Sequence, residues 1–156
     1  MTQARFVAMT PARFVATLGG AGLLRPGPGT WGSAVVLPLA LLGPVACLVL
    51  AAAITVAGFW AARQLLRDET EDPGWFVADE GAGMLLALAA LPSASWLGVA
   101  LAFALFRVLD IAKPWPVSWA DNQGGAFGVM LDDILAGAIA AAALLAIHAI
   151  LPGVIG

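Results

Sequence analysis

Apolar stretches recur along this chain from residue 33 almost to its end, and they leave little room for a water-soluble fold. Ser33–Leu42 comes first and is broken by Gly43-Pro44; Val45–Ala62 follows. Gly81–Leu91 is closed by Pro92-Ser93, Trp96–Leu109 is the fourth stretch, and Val129–Ile150 runs to Leu151-Pro152-Gly153. A helix crossing a bilayer needs about 20 residues. The second and fifth stretches reach that length, and the other three are shorter. Those three either extend into their polar flanks or form re-entrant pieces buried against neighbours. Composition agrees: 62% of residues are hydrophobic and 11% charged, against about 45–50% and about 25% in soluble domains. The expected fold is all-α, a small polytopic membrane helix bundle of about five hydrophobic helical segments. One integral membrane domain would cover residues 1–156, with residues 1–13 a loosely ordered cytoplasmic N-terminus.

Charge placement orients the bundle. If successive stretches cross alternately, Arg5, Arg13, Arg25, Arg63, Arg67, Arg107 and Lys113 all fall on one side. The positive-inside rule makes that side cytoplasmic. All the acids share it, Asp121 included, and the opposite loops carry no charge. A single long span from Ser33 to Ala62 is the alternative, but it would send Arg63 and Arg67 to the other face. The N-terminus lacks the clean apolar core of a signal peptide.

Several function classes drop out. A formal net charge of −3 and no basic stripe argue against nucleic acid as a partner. One cysteine, Cys47, and one histidine, His148, cannot build a zinc cluster or an internal disulfide. His148 reads as an interfacial residue at the far end of the last stretch. The acids of Arg67–Gly74 (Asp68, Glu69, Glu71 and Asp72) read as a wetted loop outside the site.

Carboxylates at the edge of apolar helices are costly and usually face a cavity or a partner. Asp79-Glu80 precedes the third stretch, where one acid would suffice as a helix cap. Within Phe106–Pro116, Arg107 and Asp110 share a helical face at i, i+3. Asp110 and Lys113 do so only if the helix continues to Pro114. Asp132-Asp133 opens the last stretch, where neighbouring acids repel unless cations offset them. Structural salt bridges and snorkelling anchors are the plainer reading. Five carboxylates and two cations on one membrane face also suit Mg²⁺, which meets phosphate substrates through carboxylates and waters. With His148 and Cys47 misplaced, a metal-activated water is preferred to a covalent phosphoenzyme. Arg25–Ser33 either receives a phosphate through Thr30, Ser33 and its backbone N–H groups or is only a turn capped by Thr30 or Ser33.

Taken together, PGPGTWGS (Pro26–Ser33), Asp79-Glu80 with Gly83, FRxxDxxKPxP (Phe106–Pro116) and DDxxAG (Asp132–Gly137) resemble the phosphatidylglycerophosphatase A family. The similarity runs from about Phe14 to Ile150. The resemblance implies a bacterial inner-membrane, multi-pass enzyme with its active site on the cytoplasmic side. It would remove the terminal phosphate of an anionic phospholipid, phosphatidylglycerophosphate, with Mg²⁺. It implies Asp79, Glu80, Asp110, Asp132 and Asp133 as metal-binding or catalytic residues, and Arg107 and Lys113 as phosphate ligands. A phosphatase for another lipid or isoprenoid phosphate, a divalent-cation transporter and a structural subunit are the rival readings.

Overall fold

The computed structural model describes residues 8–66 and 73–155. Arg5, Arg67 and the acids Asp68, Glu69, Glu71 and Asp72 lie outside the described residues. Among those described, the chain is helical and has no strand. The helices are α1 (Pro11–Ala16), α2 (Pro28–Val35), α3 (Pro44–Leu65), α4 (Ala78–Leu88), α5 (Trp96–Ala112), α6 (Val117–Asp121) and α7 (Gly125–Ile150). Short 3₁₀ segments, Ala21–Leu23 and Leu37–Leu42, precede α2 and α3. Helix α1 includes Pro11–Arg13, the last residues of the segment expected to be loosely ordered, with Thr10 capping it through Oγ1.

Among the described residues, two helices, α3 and α7, are long and apolar enough to cross a membrane, fewer than the five segments expected. They have 22 and 26 residues and mean hydropathies of 2.3 and 2.0. Only 28% of each apolar window is buried. That separates them from the core helix of a soluble protein, which hides its apolar surface. Leu41, Val45, Val49, Val56 and Ile150 stand exposed on the outside. The remaining apolar stretches are shorter helices: α4 has 11 residues and α5 has 17. Proline and glycine set these lengths. At Gly43 (φ 88°) the 3₁₀ segment stops and Pro44 starts α3 in the first-turn position where its missing N–H costs nothing. The 3₁₀ segment lies back along α3, with the Cys47 thiol donating to the Leu39 carbonyl at 3.4 Å. The break expected at Gly43-Pro44 is therefore present, and one continuous span from Ser33 to Ala62 is not.

The core is α4, enclosed by α3, α5 and α7. Most of α4 is buried, and its contact with α7 is close enough to bring backbone against backbone. A Cβ on Gly137 would lie 2.2 Å from the Gly83 carbonyl oxygen, and a Cβ on Gly83 would lie 2.4 Å from the Asp133 carbonyl oxygen. Small residues at such a crossing let two helices pack by dispersion where no water is available to drive burial.

Candidate functional site

The glycine crossing also aligns the acids. Asp79 and Glu80 stand one turn before Gly83 on α4, and Asp133 stands one turn before Gly137 on α7. Residues i and i+3 or i+4 share a helical face. Seating Gly83 on Gly137 therefore brings the carboxylates together one turn away. Oxygens of Asp79, Glu80 and Asp133 lie within 4.8 Å of one another. Asp79 and Asp133 are buried. The Asp79 carboxylate accepts from the Glu80 amide at 3.0 Å. The Oε2 atom of Glu80 is enclosed and has no hydrogen-bond partner. A buried acceptor left unpaired is costly.

Helix α5 supplies the next shell from its last turns. Arg107 Nη1 donates to Asp110 Oδ2, the i, i+3 pair read from sequence. Asp110 is near enough to the cluster for its charge to act on Glu80 and Asp133. The same Arg107 nitrogen lies 3.5 Å from Ser33 Oγ on α2. Burial pushes the Glu80 carboxyl above its ordinary range, and the Asp110 charge adds to this; the Asp79 hydrogen bond and the Arg107 charge pull the other way. The acids outnumber the cations here, and all offer hard oxygen donors. An enclosed, unpartnered oxygen beside two further carboxylates fits a divalent cation of the Mg²⁺ kind.

Helix α2 differs from expectation. The PGPGTWGS segment reads from sequence either as a phosphate-receiving stretch at the start of the first helix or as only a turn capped by Thr30 or Ser33. Instead the segment forms α2 itself, starting at Pro28 after Gly27 in a left-handed conformation (φ 68°). Neither hydroxyl caps it: Ser33 Oγ donates to the Gly29 carbonyl inside the helix at 2.8 Å, and Thr30 is exposed. Gly29, which sequence reading passed over, is the point of closest approach. A Cβ there would stand 2.2 Å from Glu80 Oε1 and 3.3 Å from Arg107 Nη1. The motif's glycines carried that signal, but only the fold shows which of them meets an acid.

Lys113 and Asp132 form a second cluster. Helix α5 ends at Ala112, and Lys113 takes a left-handed conformation (φ 44°). This turns its ammonium away from the i, i+3 pairing with Asp110. Its Nζ donates to Asp132 Oδ2 at 2.7 Å and to Asp121 Oδ1 on α6. Burial works against the lysine's charge, yet the hydrogen bonds to Asp121 and Asp132 hold its pKa well above the usual lysine range. Asp132 Oδ1 also accepts from the Asp133 amide at 2.9 Å. Asp121, read from sequence only as one more cytoplasmic acid, is thus a partner of this group. His148 lies in the last turn of α7.

Comparison with known proteins places this arrangement. Residues 14–148 match the model of the family described as phosphatidylglycerophosphatase A. A phosphatidylglycerophosphatase A of Haemophilus influenzae is 38% identical over 147 residues, covering 90% of each chain. That of Escherichia coli is 37% identical over 151 residues, covering 92% of this chain and 87% of its own. A Bacteroides thetaiotaomicron protein with the provisional name phosphatidylinositol-3-phosphatase is 46% identical over 101 residues, 63% of this chain and 62% of its own. No solved structure matches significantly. The match across nearly the whole chain makes this protein a member of the phosphatidylglycerophosphatase A family of phosphatases.

Proposed function

We propose that this protein hydrolyses the terminal phosphate of phosphatidylglycerophosphate, giving phosphatidylglycerol and inorganic phosphate, in phospholipid biosynthesis. The observation that carries the reading is the Asp79, Glu80 and Asp133 cluster beside Arg107. The relatives named for that activity share the chain almost end to end. In this reading Asp79, Glu80 and Asp133 hold Mg²⁺, with Asp110 at their edge. When bound, Mg²⁺ supplies positive charge to the phosphoryl oxygens and polarises the reacting centre.

The chain's own residues do the rest. Arg107 is fixed by Asp110 and Ser33 and offers its remaining N–H groups to the equatorial oxygens, where charge spreads in phosphoryl transfer. A water attacks phosphorus in line with the ester oxygen, and the phosphorus–ester bond breaks. A carboxylate of the group takes the water's proton, and a proton returns to the glycerol alkoxide. Lys113 spends two of its three donors on Asp121 and Asp132. The third remains for phosphate. Asp132 serves the site through Lys113 and the Asp133 amide, and the exposed Thr30 lies at its margin.

The protein is proposed to sit in the bacterial inner membrane as a multi-pass chain with the site facing the cytoplasm. Helices α3 and α7 support this by length and by outward apolar surface. Trp96 and Trp115, 82% and 81% exposed, bracket α5. Its 17 residues make a rod of about 26 Å. Tryptophans at both ends of such a rod match the aromatic belts of a bilayer.

The test is phosphate release from phosphatidylglycerophosphate in detergent micelles, with Mg²⁺ and with chelator, for the parent and Asp110→Asn. Mg²⁺-dependent release that disappears in a folded D110N variant is expected. No release from a folded parent over a range of Mg²⁺ and lipid conditions would overturn the reading. The Bacteroides relative's name favours one second reading, a phosphatase for another lipid phosphate. A panel of lipid phosphomonoesters separates the two by kcat/KM.

A further inference from the structure

A cavity of about 660 Å³ opens beside the site, between α1, the Ala21–Leu23 turn and Gly74-Trp75. Among the described residues its lining carries two cations, Arg13 and Arg25, and no acid. Arg13 is held in place: its guanidinium carbon lies 5.1 Å from the centre of the Trp75 ring. A guanidinium stacked on an indole keeps its planar edge free for a phosphate. The Arg25 loop is held too, since Trp31 Nε1 donates to the Pro26 carbonyl at 3.1 Å. Gly22 forms part of the wall, and a Cβ there would be 2.2 Å from the Trp75 carbonyl oxygen.

The cavity shares its border with the acid cluster. Gly27 and Pro28 line it, and the next residue, Gly29, lies against Glu80 and Arg107. Successive Cα atoms are about 3.8 Å apart. The cavity wall at Pro28 and the Gly29 contact with Glu80 and Arg107 therefore lie within the first turn of α2, a length of about 5.4 Å. A glycerol carrying a phosphate at each end has a comparable reach.

We propose that this cavity binds the second anionic group of the substrate, a phosphodiester, through Arg13 and Arg25, while the terminal phosphomonoester reacts at the acids. The inference rests on the lipid phosphatase reading above. It makes the two arginines specificity residues: they distinguish a lipid with both a diester and a monoester from one with the monoester alone. Interfacial arginines that only anchor the chain would make no such distinction.

Arg13→Gln and Arg25→Gln, checked by thermal melting in detergent, are compared with the parent on phosphatidylglycerophosphate and on phosphatidic acid, which has no diester. Binding of radiolabelled short-chain phosphatidylglycerol, and of inorganic phosphate, is measured in neutral detergent. The expected result is a KM for phosphatidylglycerophosphate raised about tenfold more than kcat is lowered, the size of one lost charge-assisted hydrogen bond. Phosphatidylglycerol binding weakens about as much, whereas phosphatidic acid turnover and phosphate binding change less than about twofold. Equal losses on both lipids would overturn the proposal. So would a loss of phosphate binding with phosphatidylglycerol binding intact, which would give the cavity to free phosphate. If a glutamine variant fails to fold, Arg→Lys replaces it: lysine keeps the charge without the planar fork, and an intermediate loss of phosphatidylglycerol binding is expected. A parent that binds phosphatidylglycerol through these arginines but releases no phosphate would sink the catalytic reading and leave the cavity's assignment standing.

Discussion

Asp132 and Asp133 are neighbours in sequence, yet they belong to two clusters with different charge balance. Asp133 joins Asp79 and Glu80, with the Arg107–Asp110 pair beside Glu80, four carboxylates to one guanidinium. Asp132 joins Asp121 around Lys113, two carboxylates on one ammonium. The second group carries a formal excess of one negative charge, against three in the first, and each oxygen named above has a donor. The first has an enclosed Glu80 oxygen with no partner. Buried like charges at this distance repel unless something positive or a proton sits among them. The difference separates a cluster built to take a cation from one that supplies its own.

The largest effect that tests this contrast is on catalysis. Asp133→Asn and Glu80→Gln are expected to lower phosphate release by at least about a thousandfold, roughly 4 kcal/mol in the barrier. Both variants should melt no lower than the parent in chelator, because each removes one of the crowded charges. A parallel loss of folding would make these acids structural and erase the contrast. Next comes the metal itself. Mg²⁺ at a hundred times its dissociation constant stabilises a protein by about 2.7 kcal/mol when it binds only the folded state. The parent should therefore melt several degrees higher in Mg²⁺ than in chelator, and E80Q should lose most of that shift. Equal shifts in the two proteins would move the cation site elsewhere.

Gly29→Ala gives a smaller effect at the same cluster. The added methyl would stand 2.2 Å from Glu80 Oε1, so either α2 or the Glu80 side chain must move. A misplacement of about 1 Å costs about a hundredfold in rate. The expected result is a drop of that order with the melting temperature within a few degrees of the parent. Undiminished turnover would show that Glu80 has another working position.

Much of the acid cluster could be read from local spacing, and the second cluster could not. Arg107–Asp110 is a pair along one helix, and the breaks at Gly43-Pro44 and Pro92 follow from backbone chemistry. The grouping of Asp79 and Glu80 with Asp133 depends on Gly83 meeting Gly137, a contact between helices far apart in sequence. The residues were visible as candidates, but their division was not. The Asp110–Lys113 spacing held only if the helix ran on through Lys113; the helix ends at Ala112, and the left-handed backbone at Lys113 sends the ammonium to Asp121 and Asp132 instead. The short helix Pro28–Val35 does not stand out as a helix in its own right because prolines and glycines dominate its start, although proline at the first helical position favours a helix start. The five apolar stretches are legible in the sequence, and among the described residues α3 and α7, which cover the second and fifth of them, carry the length to cross by themselves.

The smallest effect is expected at the rim of the second cluster, and it sharpens the comparison most finely. Asp121 is 45% exposed on its side chain, whereas Asp132 is 8% exposed, and both hold the same ammonium. An exposed pair contributes about 0–1 kcal/mol. Removing the partner of a buried charge costs about 3–5 kcal/mol, because that charge is left uncompensated. Asp121→Asn should therefore lower stability by less than about 1 kcal/mol and turnover by less than about threefold, since Asp132 keeps Lys113 in place. Lys113→Met should cost several times more stability, because it leaves Asp132 buried without its cation. Combining Asp132→Asn with Lys113→Met should recover part of that loss, as the stranded charge goes with its partner. Melting curves and phosphate release for the four proteins check the order. A D121N variant as damaged as K113M would mean that α6, rather than α7, sets the position of Lys113.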